Sequence, residues 1–230
     1  TASQCQHHHE GRYAYRDPLF PGCKSNTNLE PLLKIMIVDN LNKYRIILAS
    51  RSPRRQQLLR QLGIKFDVVI RDYNEAYPHG LSGEEIAVYL AGEKAGSFRN
   101  KLSDNEIVIT ADTIVWCNNR VLNKPANANE ASLMIRDLSG NTHEVITGVS
   151  LLSSVKEKTF SVSTKVTFVR LSDEEINYYI EKFRPYDKAG AYGIQEWIGI
   201  AACNRIEGSY FNVVGLPVQR LYEELKEFIK

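Results

Sequence analysis

The stretch that most limits what this chain can become is YRIILASRSPRRQQLLRQLG, residues 44–63. Its β-branched, apolar first part reads as a buried strand. Ser52 then reads as a helix N-cap, with Pro53 at the first helical position. Leu58, Leu59 and Leu62 give that helix its apolar face, and Gly63 ends it. A helix N-terminus already carries partial positive charge. Arg51, Arg54 and Arg55 are therefore locally unfavourable there unless something negative binds. Unpaired N–H groups, the hydroxyls of Ser50 and Ser52, and arginine forks together describe an anion or phosphate site. The plainer alternative is a solvated basic helix end that Ser52 merely caps. The glycines of a Walker loop are absent.

The rest of the chain alternates in kind. Residues 65–70 (KFDVVI) read as a second strand and 71–81 as a loop holding Glu75 and Pro78. Ser82 with Glu85 forms a capping box that opens a helix to about Asn100, with Ile86, Leu90, Ala91, Ala95 and Phe98 inside. EIVITA, residues 106–111, is a third buried strand, expected to end at Asp112, and IVWCNNRVLNKP reads as a short hairpin. Asn127 and Glu130 start a helix that Gly140 stops. Residues 143–152 and 159–169 are long strands. Ser172 and Glu175 cap a helix carrying Ile176, Tyr179, Ile180 and Phe183. DKAGAYGIQ, residues 187–195, is a small-residue loop. ACNRIEGSYFNVV reads as a hairpin around Glu207–Gly208, and Pro217 begins a last helix with Leu221, Leu225 and Ile229. The class is α/β, with too many hairpins for a purely parallel sheet.

Bulk properties exclude several functions. The 230 residues suit one large domain or two lobes around one cleft. A net charge of +2 is too small to imply a general nucleic-acid or membrane surface. No apolar run approaches the ~18 residues of a membrane helix. Cys5, Cys23, Cys117 and Cys203 form no C-x-x-C pair, so neither a disulfide framework nor a zinc site is expected. Cys117 and Cys203 read as small core residues, and a reducing, cytoplasmic setting fits. Residues 1–35 are polar and aperiodic and read as a disordered leader or a cloning remnant, despite the metal-binding chemistry available to His7, His8 and His9. Met36 is a natural start for the domain, taken as 36–230.

Three further places invite chemistry. A carboxylate at the end of a buried strand, as expected for Asp112, costs desolvation unless it is paired, bonded or on a metal. It is otherwise a turn or cap aspartate. Lys124, in LNKP beyond the hairpin, could return beside Asp112 or be a surface lysine. The loop 187–195 offers Asp187, Lys188 and Gln195 among small residues that let backbone approach a ligand, or is an ordinary tight connection.

LASRSPRRQQLL, TADTIV, LNKP, LSGNTHEVITGVSL, DKAGAYGIQ and GSYFNVVGLP, in that order, resemble the Maf family of nucleotide pyrophosphatases from about Tyr44 to Leu225. The resemblance implies a long mixed β-sheet flanked by helices, two lobes around a deep cleft, and a fold like that of inosine triphosphate pyrophosphatases. It implies a cytoplasmic hydrolase that cuts nucleoside triphosphates to the monophosphate and pyrophosphate with a divalent cation, Mg²⁺ or Mn²⁺. DKAGAYGIQ looks like the branch acting on dTTP and UTP, with modified pyrimidine nucleotides as further candidates. Position by position, Ser50, Ser52, Arg54 and Arg55 match the phosphate-binding motif. Glu75 matches a catalytic-site glutamate, Asp112 the proton acceptor and Lys124 the motif lysine. Arg54, Thr113 and Gln195 fall where substrate choice is made, and Glu75 and Asp112 are the metal-ligand candidates. EWIGIAACNRI, residues 196–206, departs from the commoner continuation and leaves the cleft wall undefined. The alternative function is a nucleotide-binding regulator of cell division acting through partners. No nucleic-acid or membrane partner is expected, and a homodimer is compatible with the sequence.

Overall fold

In the computed structural model, which describes residues 40–230, the opening strand and helix form where the sequence directs them. The leader expected over 1–35, its three histidines, Cys5, Cys23 and the start at Met36 lie outside the described residues. Strand β1 (Arg45–Leu48) leads into helix α1 (Pro53–Gln61), whose N-cap Ser52 accepts from the Arg55 N–H. Strand β2 (Asp67–Val68) keeps only two residues of the expected six, both exposed. Among the described residues it is the outer strand of the sheet, paired with β1 alone, which leaves it short and exposed. Helix α2 (Gly83–Gly96) opens with both halves of the Ser82–Glu85 capping box in place.

Strand β3 (Glu106–Cys117) does not stop at Asp112. Asp112 and Thr113 sit mid-strand, because the ladder to Gly148 and Thr147 carries the backbone through both polar residues. Asn118 and Asn119, with φ of 51° and 59°, turn the chain into β4 (Arg120–Leu122) as a two-residue hairpin. Then come α3 (Ala128–Leu138), β5 (Thr142–Leu152), β6 (Glu157–Phe168) and α4 (Asp173–Phe183). Helix α5 (Trp197–Ala201) precedes β7 (Cys203–Glu207). The hairpin expected around Glu207–Gly208 is half formed. β7 pairs with β6, but YFNVV becomes helix α6 (Tyr210–Val214). Ser209 caps it, and the buried Asn212 amide donates to the Val145 carbonyl (2.9 Å) and Thr164 Oγ1 (3.0 Å). A short apolar run is ambiguous in sequence, and these tertiary bonds decide it. Helix α7 (Val218–Phe228) closes the chain.

Among the described residues seven strands make one mixed sheet, ordered β2–β1–β3–β5–β6–β7, with β4 paired to β3 off that path. β1 is parallel to β2 and β3, and every other pairing is antiparallel. Side chains alternate across the sheet. Ile107, Ile109 and Ala111 pack with Leu58 and Leu59 of α1 and Leu221 and Leu225 of α7. Val108 and Ile114 face the other way, toward Ala95, Phe98, Ile86 and Ala87 on and beside α2. Val115 and Cys117 join Val145, Val166 and Phe168 under α3, α4 and α5.

This topology leaves one opening. β5 occupies one edge of β3 from Val108 to Trp116, so β1 and β4 both lie on the other edge. β1 pairs there with residues 106–109, and β4 with 115–117. Residues 110–114 of that edge have no strand beside them among the described residues. The chain leaving β1 and the chain leaving β4 flank the gap. These are the stretches SRSPRR and LNKP.

Candidate active site

The gap begins where β1 stops. The Ala49 N–H still reaches the Ile109 carbonyl at 2.9 Å, but the Ala111 carbonyl, two residues on, has no further β1 residue to receive. Two cations cap it instead. Arg55 Nη1 donates to it at 2.9 Å from α1, and Lys94 Nζ at 3.2 Å from α2. The two helices pack on opposite faces of the sheet, so the cations meet at its open edge.

Arg55 is a strut. Nε donates to the Gly215 carbonyl at 2.7 Å, and Nη2 to Thr113 Oγ1 at 2.8 Å. Nη1 also approaches Ser50 Oγ at 3.5 Å. Burial lowers the guanidinium's pKa, and the Asp112 carboxylate partly restores it. One Nη2 N–H is left for a ligand. Thr113 Oγ1 is similarly engaged, with Arg55 and with Thr147 Oγ1 at 2.9 Å. The rest of the α1 start is also partly used. Ser50 Oγ accepts from the Ser52 N–H at 3.2 Å, and Ser52 Oγ from the Arg55 N–H at 3.4 Å. Pro53 has no N–H. Within this first turn the Arg54 N–H is the backbone donor without a partner among the described residues, and both serine hydroxyls keep a hydrogen to give.

Asp112 is held by a residue the sequence reading missed. Lys94 Nζ makes an ion pair with Asp112 Oδ1, and the two side chains are 13% and 18% exposed. The same ammonium lies 4.8 Å from the centre of the Tyr73 ring, whose hydroxyl donates to Glu75 Oε1 at 2.7 Å. Burial pushes the Lys94 ammonium below the usual lysine pKa, opposed chiefly by Asp112. Burial raises the Tyr73 phenol, with its bond to Glu75 adding to the effect. Asp112, Glu75, Lys94 and Tyr73 thus form one electrostatic group. Lys124 follows β4 at the far end of the gap, is exposed, and makes no ion pair among the described residues. The lysine beside Asp112 is Lys94. Its signal was available: it stands four residues after Leu90 and three after Ala91, on the helix face that also buries Ile86 and Ala95.

Arg54 and the loop that carries Gln195 form a second group. Arg54 Nη1 donates to Asp187 Oδ2 at 3.1 Å, which ties the start of α1 to the loop 187–195. The Gly190 N–H donates to the Asn123 carbonyl at 3.2 Å, which ties that loop to LNKP. Gln195 is exposed at a turn in the same loop.

No cluster of three or more His, Cys, Asp or Glu that could cage a metal occurs among the described residues. Asp112 and Glu75 nevertheless offer hard oxygen donors in one electrostatic group. Mg²⁺ is commonly held by one or two carboxylates with substrate phosphates completing its shell. The residues present fit that kind of site.

The family described as Maf-like protein matches residues 45–228. A dTTP/UTP pyrophosphatase of Phocaeicola vulgatus is 55% identical over 192 residues, covering 83% of this chain and 100% of that protein. Proteins of the same name from Porphyromonas gingivalis and Flavobacterium johnsoniae are 52% and 50% identical, over 84% of this chain and 98% and 100% of their own lengths. Among solved structures, the Staphylococcus aureus Ham1 protein has a TM-score of 0.37 at 15% identity, over 54% of this chain and 71% of that one, too slight a likeness to build on.

Proposed function

The chain belongs to the Maf family, and on that premise we propose that it hydrolyses dTTP and UTP to the nucleoside monophosphate and pyrophosphate. The observation that carries this reading is 50–55% identity, along essentially their whole length, to proteins named for that activity. The gap in the sheet supports it. Three of the motifs quoted above, SRSPRR, TADTIV and LNKP, border that opening in the fold, and DKAGAYGIQ is tied to two of them.

In this reading the triphosphate lies along the start of α1. The hydroxyls of Ser50 and Ser52, the Arg54 N–H, the remaining Arg55 Nη2 donor and the Arg54 side chain face its oxygens. As the bond from the α-phosphorus to the bridging oxygen breaks, charge grows on the leaving pyrophosphate. Fixed donors there act on the transition state. Water attacks the α-phosphorus and gives its proton to Asp112. Lys94 holds one oxygen of that carboxylate, and Oδ2 remains to accept the proton. Lys124 is exposed at the far side of the gap and within the reading meets a phosphate rather than Asp112. Asp112 and Glu75 would hold a divalent cation, Mg²⁺ or Mn²⁺. When bound, that cation offsets phosphate charge that the arginines alone do not balance. Gln195 has a donor and an acceptor to pair with the edge of uracil or thymine. The free thiols of Cys117 and Cys203 support a reducing, cytoplasmic setting, and no helix among the described residues is long and apolar enough to cross a membrane.

The test is a panel of dTTP, UTP, ATP, GTP and modified pyrimidine triphosphates with Mg²⁺, Mn²⁺ or EDTA, assayed for monophosphate and pyrophosphate. Release of pyrophosphate from dTTP and UTP well ahead of ATP and GTP is the expected result. Release of inorganic phosphate, or no turnover of any triphosphate, refutes it. The second of these outcomes returns the regulator reading.

A further inference from the structure

The loop 187–195 and the residue after it contain a chain of alternating charges that the proposed chemistry does not use. Arg54 Nη1 reaches Asp187 Oδ2 at 3.1 Å. Asp187 Oδ1 lies 2.7 Å from Lys188 Nζ, and the same ammonium is 3.0 Å from Glu196 Oε1. The other Glu196 oxygen accepts from the Tyr179 hydroxyl, on α4. Lys188 is a buried lysine, 8% exposed, so its two carboxylate partners are needed where it stands.

The chain of charges ends on the turn that carries Gln195. The Glu196 N–H donates to the Gly193 carbonyl at 3.0 Å, closing a four-residue turn. Ile194 of that turn is buried and Gln195 is exposed at its tip. Both ends of the turn are fastened to one atom. The Gly193 N–H donates to Tyr179 Oη at 3.1 Å, and Glu196 accepts from the same hydroxyl. The Glu196 carboxylate folds beneath Gly193 so closely that a Cβ there would lie 2.9 Å from its Cδ and 3.0 Å from its Oε2. Glycine at 193 is thus the counterpart of glutamate at 196.

We propose that Glu196, acting with Lys188 and Tyr179, is a specificity-determining positioning residue that fixes the turn presenting Gln195 at a set distance from Arg54. None of the three needs to touch substrate. Arg54 is bound at one end of the charge chain and the Gln195 turn at the other, so the phosphate side and the base side of the site are held in register. This rests on the reading of Gln195 as the base-contacting residue. Losing the pair leaves Arg55, Lys94 and Asp112 untouched, because these three share no bond with Glu196 or Tyr179.

The experiment measures kcat/KM for dTTP, UTP, ATP and GTP in the intact chain and in Glu196→Ala, Glu196→Gln and Tyr179→Phe, each with a melting curve. In Glu196→Ala the dTTP-to-ATP ratio of kcat/KM is expected to fall by at least about tenfold, the scale of a misplaced contact group. The fall should come through KM for dTTP, with ATP turnover unchanged. Glu196→Gln keeps an acceptor for Tyr179 and should restore part of the ratio. Tyr179→Phe removes one hydroxyl and should lower the ratio even if Glu196→Ala fails to fold. A wild type without preference for dTTP and UTP brings down the reading of Gln195 and this proposal together. A wild type with that preference, kept unchanged in Tyr179→Phe and in any folded Glu196 variant, overturns this proposal alone.

Discussion

Gly148 lies directly across the β3–β5 ladder from Asp112, on the same face of the sheet. It faces α2. A Cβ built on it would stand 2.0 Å from the Ala87 carbonyl oxygen and 2.3 Å from its carbon. The helix therefore rests on the strand's bare backbone, and this close approach puts Lys94, two turns farther along α2, within reach of Asp112. Gly148→Ala must push helix backbone rather than a flexible side chain. Overpacking of this kind costs about 1–3 kcal/mol or more. Urea denaturation should show a loss of that size, together with a drop in dTTP hydrolysis. A variant that is as stable and as active as the parent contradicts the packing argument.

Lys94 and Asp112 should act as a unit. Asp112→Asn keeps the shape but removes the proton acceptor, and a loss on the order of 10²–10⁴-fold in kcat is expected. Lys94→Met leaves Asp112 without its ion-pair partner and should also lower kcat. Removing both should cost clearly less than the product of the single losses, since residues sharing one contact are not additive. Four kcat values over a double-mutant cycle decide this. Independent, multiplicative effects would separate Lys94 from the chemistry.

Three arginines of one helix should behave in three ways. Arg55 bonds Gly215, Ala111 and Thr113, so Arg55→Ala should lower both stability and turnover. Stability alone should fall by roughly 1.5–3 kcal/mol, the range for hydrogen bonds to a charged group. Among the described residues Arg54 bonds only the exposed Asp187, so Arg54→Ala should spare the melting temperature and act on substrate binding and choice. Arg60 reaches Gln56 and the Phe66 ring on the surface, and its replacement should be nearly neutral for activity. Equal losses at all three would describe a diffuse basic surface instead.

What could be read in the residues, and what could not, divides along the range of the forces involved. Ser52 with Pro53, Ser82 with Glu85 and Ser172 with Glu175 were legible because a cap is decided within a few residues. The mixed character of the sheet was legible from the hairpins and the βα start. Arg55 was legible as a charge at the start of a helix. Its role as a strut was not, because Gly215 is 160 residues away and Thr113 is 58. The pairing of Lys94 with Asp112 joins residues 18 apart across helix and sheet, and only the presence of a lysine on an alanine-rich buried face hinted at it. Asp112 looked like a strand end because a carboxylate inside a buried strand is costly. Its cost is met by Lys94, which lies outside the local pattern. YFNVV reads as a strand because four apolar residues around one asparagine suit either structure until Asn212 finds Val145 and Thr164.

The last prediction concerns acid. His143 is buried at 2% exposure, between the edges of Phe168 and Tyr192. One ring nitrogen bonds the Tyr192 hydroxyl at 2.8 Å, and Nδ1 has no partner among the described residues. Burial pulls its pKa down from 6.5 to about 4. The native state therefore keeps His143 neutral while the unfolded state takes up a proton below about pH 6.5. Unfolding then binds a proton, so stability is full above pH 6.5, falls as pH drops toward 4, and gains no further loss from this group below that. The whole effect is on the order of 3 kcal/mol. Carboxylates held low by hydrogen bonds, such as Glu85 and Glu106, weaken the fold only in more acidic solution. The window from 6.5 to 4.5 therefore isolates the histidine. His143→Gln should be somewhat less stable at pH 7 yet show a flatter decline across that window, read as urea midpoints at half-unit steps. A variant that declines as steeply as the parent would show that another group carries the acid sensitivity.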